Sequence, residues 1–278
     1  MKTIFTLAFA ALAANATAQC GASGGSCRGG SAKAFELGAG YTALMPTGSL
    51  SNHMGTINAF ALRGTLLAPC NRFGVGFEMA TGNQPSTKQT QYFGPTSELT
   101  PNDVTYSTSV TTVSATVRYT VVRTRYFDAF AGVKGGLANF TSGVTIDDDL
   151  SMMADPYGCG PMPNQNVASL TDNTWQAGLT AGASMDIKAL VKCAPRNTFV
   201  LQAHAGAIRG GDARHIMMPG GTQDHSHHTT AVTTDGGAPI NMQFMDWNTS
   251  TSHQHEVARQ YSSPVQFFEA GLSLAVRF

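Results

Sequence analysis

The chain has few charged residues and no long apolar segment downstream of its amino terminus. Of its 278 residues 12% are charged, and 17 basic and 17 acidic side chains leave no net charge. A membrane-spanning helix requires about 20 consecutive apolar residues, a length that no later segment reaches. Nucleic-acid binding requires a basic surface, which this charge balance does not provide. The sequence therefore excludes an α-helical membrane protein and does not predict nucleic acid as a partner.

The amino terminus has the pattern of a secretory signal peptide. Lys2 precedes an uncharged apolar stretch that ends in the small-residue site Ala16-Thr17-Ala18. We expect residues 1–18 to be a signal peptide that is cleaved before Gln19, and residues 19–34 to form a flexible periplasmic tail. Cys20 raises the alternative of a lipoprotein, but glutamine is a poor residue in front of a lipidated cysteine.

The last sixteen residues alternate strictly between two kinds of side chain. Every second residue from Phe268 to Phe278 is apolar, whereas the residues between them are small or polar and include Glu269 and Arg277. This alternation predicts a β-strand with one apolar face. A final strand that ends on Phe resembles the last strand of bacterial outer-membrane barrels, where the barrel-assembly machinery recognises it.

Seven further segments alternate in the same way, and short and long connections follow each other between them. Short turns on one side and long loops on the other are typical of outer-membrane barrels. We therefore predict an all-β fold, an eight-stranded antiparallel up-and-down transmembrane β-barrel over residues 35–278, with long extracellular loops, short periplasmic turns and both chain ends on the periplasmic side. The predicted strands are 35–44, 57–67, 73–81, 107–122, 127–140, 174–191, 198–209 and the terminal segment 263–278. The predicted long loops are 46–56, 82–106, 141–173 and 210–262.

The two faces of these strands differ in chemistry. One face carries the larger polar and charged groups Glu36, Arg63, Glu78, Arg118, Lys134, Asp186, Gln202, His204 and Glu269. The other carries Leu37, Tyr41, Phe60, Leu62, Val75, Phe77, Val117, Tyr119, Val133, Leu179, Met185, Leu201 and Leu272. Phe130 and Ile208 are the exceptions on the polar face.

Alternation alone does not say which face points inward. A lipocalin-type soluble barrel would place the apolar face inside, and this is the structural alternative. The apolar face, however, carries an aromatic residue near one end of five strands: Phe35, Phe73, Phe127, Phe199 and Phe278. Such a ring is half of the aromatic girdle of a membrane barrel, so we expect the apolar face to contact lipid.

The polar face would then line the lumen, which in an eight-stranded barrel is just wide enough for side chains to fill it. Buried charges are costly unless they pair, so we predict an interior salt-bridge network rather than an open pore. The predicted members are Glu36, Arg63, Glu78, Arg118, Lys134, Asp186, His204 and Glu269, with Arg277 near the periplasmic mouth. A small or gated pore for ions or small solutes is the alternative.

One combination of side chains on the polar face has the chemistry of a catalytic site. His204, Asp186 and Ser184 share one face of two adjacent predicted strands, so the carboxylate is a candidate to orient the histidine. An interior histidine with satisfied hydrogen bonds is far more common than a catalytic one. We therefore expect neither an enzyme nor a cofactor.

All five cysteines follow the predicted signal peptide, in a compartment where disulfides persist. Cys20, Cys27, Cys70 and Cys193 fall on the predicted periplasmic side, whereas Cys159 is alone in external loop three. Cys70 and Cys193 lie on roughly opposite sides of the predicted ring, which makes a direct bond between them doubtful. We expect at least one disulfide that involves the flexible tail.

External loop four is rich in potential metal ligands. Imidazole suits zinc, copper and nickel, and thioether sulfur favours Cu(I), so a transition-metal site is one hypothesis. The alternative is an ordinary solvated loop, because the spacing matches no fixed zinc motif. The candidate ligands are His215, His225, His227, His228, His253 and His255, with Met217, Met218, Met242, Met245 and Asp224 nearby. The alternation of His253, His255 and Val257 also predicts that the last strand continues beyond the membrane and pairs with an extended seventh strand, which would form a β-rich external cap.

The chain after the signal peptide resembles the outer-membrane β-barrel domain proteins of Bacteroidetes, which share the architecture of OmpA-like transmembrane barrels. The resemblance is carried by GYTALMPTGSL at 40–50, RFGVGFEM at 72–79, ARHIMMP at 213–219 and YSSPVQFFEAGLSLAVRF at 261–278. It implies a fold and a location in the outer membrane, and no chemistry. An OmpA-type periplasmic domain is not expected after Phe278.

Taken together, these features predict a non-enzymatic integral outer-membrane barrel. Its expected role is structural, or interaction with a surface through the large loops. The alternatives are the small pore and metal capture by loop four. Expected partners are outer-membrane lipid, the barrel-assembly machinery and an external ligand or surface.

Overall fold

Ten antiparallel strands form the part of the chain that the computed structural model describes, residues 34–68, 72–93, 100–124, 126–147, 165–187, 198–217, 237–246 and 251–278. No helix among these residues is long and apolar enough to cross a membrane. The strands are β1 Ala34–Pro46, β2 Ile57–Leu67, β3 Phe73–Asn83, β4 Thr87–Phe93, β5 Thr100–Arg123, β6 Phe127–Asp147, β7 Gln165–Asp186, β8 Thr198–Met217, β9 Ala238–Asp246 and β10 Thr251–Arg277, and a short 3-10 turn spans Gly48–Asn52.

Eight of these strands close into a ring. They pair in the order β1-β2-β3-β5-β6-β7-β8-β10, and β10 returns to pair with β1 from Glu36–Arg277 to Pro46–Phe267. β4 adds to β5 above β3, and β9 adds to β10 above β1. The predicted fold class, an eight-stranded antiparallel up-and-down barrel, is confirmed. We call the end where Phe35 and Phe278 meet the termini end, and the opposite end the loop end.

The strands present their apolar face outward and their charged face inward. Leu179 and Leu137 are 68% and 61% exposed, whereas Glu269 is fully buried in the lumen and Lys134 is 5% exposed. A lipocalin-type barrel would show the reverse arrangement, so that alternative is wrong. Tyr and Phe residues cluster on the outer surface towards the termini end, among them Phe73, Tyr119 and Phe127.

The exposed apolar residues form a belt around the ring. On β5 the belt runs from Val113 to Val121, which corresponds to roughly 26 Å of strand, or roughly 20 Å of height at the usual strand tilt. On β3, β5, β6 and β7 the next outward residues towards the loop end are polar, since Thr81 contacts Thr111 at 3.0 Å and Asn139 donates to Asn173 at 2.7 Å. A belt of this height matches the apolar band of a membrane barrel.

Several strands are longer than the sequence predicts. Residues 82–106, 141–173 and 210–262 were expected to be loops, but β5, β6, β7, β8 and β10 extend into them. The predicted strand 174–191 instead spans Gln165–Asp186, and residues 188–191 lie outside the described residues. The extensions are rich in Thr, Ser and Asn, which lowers their hydrophobicity, yet threonine and valine favour strands when one face is buried.

The extension of the last strand is confirmed. β10 pairs with β8 from Arg277–Thr198 to Arg259–Met217 and continues to Thr251 against β9. We call the parts of β4 to β10 that project beyond the belt at the loop end the cap. The cap rises on the side of β5 to β8 and β10, because β1, β2 and β3 are only 11 to 13 residues long.

Candidate functional site

A first layer of ion pairs surrounds Glu36 near the termini end of the lumen. Arg118 of β5 donates to Glu36 of β1 at 2.6 Å, although two strands separate β1 from β5 in the ring. Arg277 donates to the other carboxylate oxygen at 2.5 Å, and the Gln202 amide donates at 3.1 Å. Glu36 is 2% exposed. The layer therefore ties opposite walls together and occupies the lumen.

Lys134 is at the centre of a second layer. Its ammonium donates to Glu78 of β3 at 3.0 Å and to Glu269 of β10, and two strands of the ring separate β10 from β6. Arg63 pairs with Glu78 at 2.6 Å, and its guanidinium lies 2.8 Å from Nδ1 of His204. Two carboxylates thus face two cations, so this layer is electrically balanced.

Asp186, which was also predicted to line the lumen, lies nearer the termini end than His204. It lines a cavity of about 40 Å³ at the termini end with Asp128, Ser184 and Arg277. His204 pairs in register with Gly182, four residues from Asp186 along β7, which is roughly 13 Å. The structure therefore does not bring Asp186 to His204, and the suggested orienting pair is wrong.

Asp128 is a member of the interior that the sequence reasoning missed. It lies 3.6 Å from Arg277 and 3.9 Å from Arg123. Asp128 has the same parity in β6 as Lys134, so that parity was a sufficient signal for an inward-facing position. Phe130, an apolar exception on that face, packs against Arg118, whose guanidinium carbon is 5.3 Å from the ring centre.

Apolar side chains close the loop end of the lumen. The rings of Phe140 and Phe267 stack at 6.3 Å, and both residues are almost fully buried. Ile208, the second apolar exception, belongs to the same cluster, which explains its position on the polar face. We call this cluster the outer plug; it consists of Leu44, Leu50, Met54, Ile57, Val110, Ala138, Phe140, Ile208, Ala213, Val265 and Phe267.

The turn after β1 contributes two of these residues. Thr47 donates its backbone N–H to the Gln266 carbonyl at 2.9 Å, and Gly48 then adopts a positive φ of 62° that favours glycine. The 3-10 turn that follows buries Leu50, and Met54 donates its backbone N–H to the Leu50 carbonyl at 3.0 Å. Loop one therefore places two buried apolar side chains, Leu50 and Met54, in the outer plug.

The cap contains a second apolar core. It includes Val104, Val144, Ile146, Ile216 and Val257, which come from β5, β6, β8 and β10. Buried polar contacts join β5 to β10: the Tyr106 hydroxyl donates to the Val257 carbonyl at 2.6 Å and accepts from the Gln91 amide at 2.7 Å. Burial raises the pKa of the Tyr106 phenol well above its usual value. Tyr106 therefore stays a hydrogen-bond donor over the physiological pH range.

Three aromatic rings pack together between the outer plug and this cap core. The His53 ring stacks on Tyr261 at 4.4 Å and lies 5.6 Å from the His215 ring. His215 is fully buried, and burial lowers its pKa; the Ala213 carbonyl opposes that shift, and nearby His53 adds to it. His215 was expected in external loop four, but it lies inside the barrel on β8, because a bulge in the β8–β10 pairing near Pro264 turns the odd-numbered residues inward.

The side chains of the other five histidines predicted as metal ligands lie outside the described part of the structure. His225, His227 and His228 lie outside the described residues; His253 and His255 are in β10, where only the backbone is described. No group of three or more His, Cys, Asp or Glu side chains in the described ranges is arranged to hold a metal ion. The disulfide candidates Cys20, Cys27, Cys70 and Cys193, and Cys159 with them, also lie outside the described residues, as do residues 1–33 with the predicted signal peptide.

The outer face of the cap is polar, and an ion pair joins β7 to β8. Asp172 accepts from the backbone N–H of Arg214 at 2.8 Å and from its side chain at 3.3 Å. Partial burial acts to raise the pKa of Asp172, but these hydrogen bonds and the Arg214 charge outweigh it and lower the pKa. Thr141 and Thr171 continue the outward ladder at 3.4 Å. The face therefore presents mainly uncharged hydroxyl and amide groups.

The eight strands form a closed ring with an apolar belt on the outside and a charged face on the inside. The architecture is that of an outer-membrane β-barrel. No family model matches the chain, and no curated protein is similar to it in sequence.

This chain is similar in fold to solved bacterial structures, among them a surface protein and an outer membrane protease. The attachment invasion locus protein Ail of Yersinia pestis is 10% identical with a TM-score of 0.39, over 89% of this chain and 100% of Ail. Neisserial surface protein A is 12% identical with a TM-score of 0.33, over 90% of this chain and 98% of its own. The Escherichia coli outer membrane protease OmpT is 8% identical with a TM-score of 0.32, over 88% of this chain and 96% of OmpT. Strand pairing establishes the eight-stranded ring independently of these likenesses.

Proposed function

We propose that this chain is an integral barrel of a bacterial outer membrane with a closed lumen, and that it acts without catalysis through its cap, in a structural or surface-interaction role. The observation that carries the proposal is the contrast between the lumen, which side chains fill, and the cap, which extends beyond the apolar belt. Side chains cross the lumen in two ion-pair layers and in the outer plug, whereas five strands continue past the apolar belt. A protein that conducted solute would need the lumen; one that contacts a surface needs the cap.

The interior supports a structural rather than a transport role. Burying ion pairs is costly unless each charge is paired, and Glu36, Glu78 and Lys134 each contact two partners of opposite charge. A gated pore would have to break several of these contacts and displace Phe140 and Phe267 together. The ion pairs that join non-adjacent strands therefore favour a rigid, filled barrel.

The cap supports a binding role because it is large, ordered and polar outside. Loops and extensions on a rigid scaffold are common positions for recognition. A second core of its own holds the cap in one shape, so its outer face is preorganised for a partner. In this proposal the loop end faces the exterior and both chain ends face the periplasm. The narrower kinship with Bacteroidetes or OmpA-like barrels, and metal capture by loop-four histidines, stay predictions.

A trimmed barrel tests the proposal. Residues 218–258 are replaced by Asn-Gly, a two-residue hairpin turn, so that Met217 and Arg259, which pair in register, are joined directly. Cells that display wild type or the trimmed barrel at equal levels are compared for adhesion to epithelial cells and to immobilised extracellular-matrix glycoproteins. We expect adhesion by wild type and its loss on trimming, and Arg118→Ala, which alters only the lumen, serves as the matched control. Equal adhesion of wild type and trimmed barrel would contradict the proposal.

A further inference from the structure

The two histidines between the outer plug and the cap come from different parts of the chain. His53 follows the 3-10 turn of loop one, and its backbone N–H donates to the Leu50 carbonyl at 3.1 Å. His215 lies near the end of β8 and pairs in register with Tyr261 of β10. Their ring centres are 5.6 Å apart, with an angle of 47° between the ring planes. The fold therefore brings together two imidazoles that are 162 residues apart in the sequence.

The two ring nitrogens of His215 differ in their hydrogen-bond partners. Nδ1 lies 3.3 Å from the Ala213 carbonyl, which can only accept, so Nδ1 carries the proton. Nε2 is then a lone-pair acceptor, and in the described part of the chain it has no hydrogen-bond partner although it is buried. An unsatisfied buried polar atom is unfavourable and requires an explanation. A histidine whose one nitrogen is held by a carbonyl while the other is free has the arrangement of a metal ligand.

The geometry of the pair fits a shared ion. Two imidazoles bound to one ion at metal–nitrogen distances of about 2.0–2.1 Å have ring centres roughly 5–6 Å apart. His53 is half-buried, so an ion can approach from its side, and Tyr261 stacks on its ring and limits its rotation. The turn that carries His53 is itself held by Thr47 and by the buried Leu50, so little ordering is needed on binding.

We propose that His53 and His215 bind one divalent transition-metal ion of the class that favours imidazole nitrogen, namely Zn²⁺, Cu²⁺ or Ni²⁺. Water completes the coordination, because two protein ligands leave positions open. The ion would link loop one to β8. Since loop one supplies Leu50 and Met54 to the outer plug, the ion would hold loop one in place at the loop end of the barrel. Of the histidines predicted for loop four, this site uses His215 alone, and it does not depend on the proposed surface role.

Metal titration of the full chain in detergent micelles tests the proposal. His225, His227 and His228 are first changed to Ala, so that any heat comes from elsewhere. In this background, calorimetry with Zn²⁺ or Cu²⁺ alone should show one ion per chain. His53→Ala should weaken binding at least roughly tenfold, because even the loss of an outer-shell partner has that effect. Electron paramagnetic resonance of bound Cu²⁺ should report two nitrogen ligands, and one after His53→Ala.

Controls separate loss of a ligand from loss of fold. His53 is half-buried in a turn, so His53→Ala is expected to keep the heat-modifiable gel migration of a folded barrel; His215→Ala is interpreted only if it keeps that migration. Tyr261→Phe retains the stacked ring and removes the hydroxyl, and it should bind as the background does. Absence of binding in the triple-alanine background, or equal affinity after His53→Ala, would overturn the proposal.

Discussion

Arg118 of β5 donates to Glu36 of β1 across the lumen at 2.6 Å, over two intervening strands. The same carboxylate accepts from Arg277, so one buried acid joins β1, β5 and β10. A contact of this kind requires a strongly curved sheet, because three strand spacings of about 4.8 Å would hold the two strands too far apart if the sheet were flat. It also places charge where a solute would have to pass, which links the closure of the fold to the absence of an open path.

Removal of the central cation should destabilise the barrel strongly. Lys134→Met leaves Glu269 without its cation and Glu78 with Arg63 alone, and breaking a buried pair in this way typically costs about 3–5 kcal/mol. Urea unfolding of the refolded barrel in micelles measures the change. The double variant Lys134→Met/Glu269→Gln should recover much of the loss, because the uncompensated charge is then absent. A double variant as unstable as the single one would contradict the assigned role of Lys134.

A charge placed on the apolar belt should be costly, whereas the same charge on the cap should not. Val133 is 51% exposed in the belt, and Arg at such a position in a bilayer costs about 2–4 kcal/mol. Thr171 is exposed on the polar outer face of the cap, so Thr171→Arg is the matched control, with an expected change of about 0–1 kcal/mol. The free energy of unfolding in phospholipid vesicles measures both. Equal effects at the two positions would mean that the belt does not contact lipid.

The Tyr106 hydroxyl should hold the cap closed between β5 and β10. Tyr106→Phe removes the bond to the Val257 carbonyl and the 2.7 Å acceptor for Gln91, whose amide keeps only 3.5 Å contacts to Val257 and Gln89. Poorly paired buried groups cost about 1–3 kcal/mol. Hydrogen exchange should accelerate in β4 and in the cap part of β10. Tyr119→Phe is the control, since its exposed hydroxyl only receives a 3.4 Å contact from Arg72. Unchanged exchange in the cap would show that this bond does not secure it.

The Asp172–Arg214 contact should add stability that depends on pH. The pKa of Asp172 is lowered in the folded state, so the ionised carboxylate stabilises the fold above the unfolded-state pKa. That contribution is lost as the pH falls through the lowered folded-state pKa. The stability difference between wild type and Asp172→Asn should therefore be largest at neutral pH and should shrink in acid. A difference that grows with acidity would have the wrong sign.

The sequence predicted the ring and its two faces because alternation has a period of two and side chains of opposite parity cannot exchange faces. It did not predict the height of β5, β6 and β7. Their extensions are polar outside, and only the inward Val104, Tyr106, Val144 and Ile146 mark a second core, so each extension resembles a loop when read alone. The structure supplies the missing information, namely that five such extensions meet and bury one another's apolar residues.

The sequence also did not predict which residues contact each other across the lumen. Parity indicates that Glu36 and Arg118 face inward, but it does not say that they meet, because their separation depends on strand order and on the stagger around the ring. The predicted contact between Asp186 and His204 was wrong for that reason. Two residues on neighbouring strands can both face inward and still lie four residues apart along the strand direction. Asp128 shows the reverse case, in which the parity was informative and was overlooked.

Single-channel recording in planar lipid bilayers tests the central claim of a closed lumen most directly. Wild type and the barrel trimmed between Met217 and Arg259 are inserted at matched amounts. Both should give no discrete current steps, because the two ion-pair layers lie within the barrel and persist when the cap is shortened. Discrete, reproducible steps from wild type would contradict the account and would favour a pore.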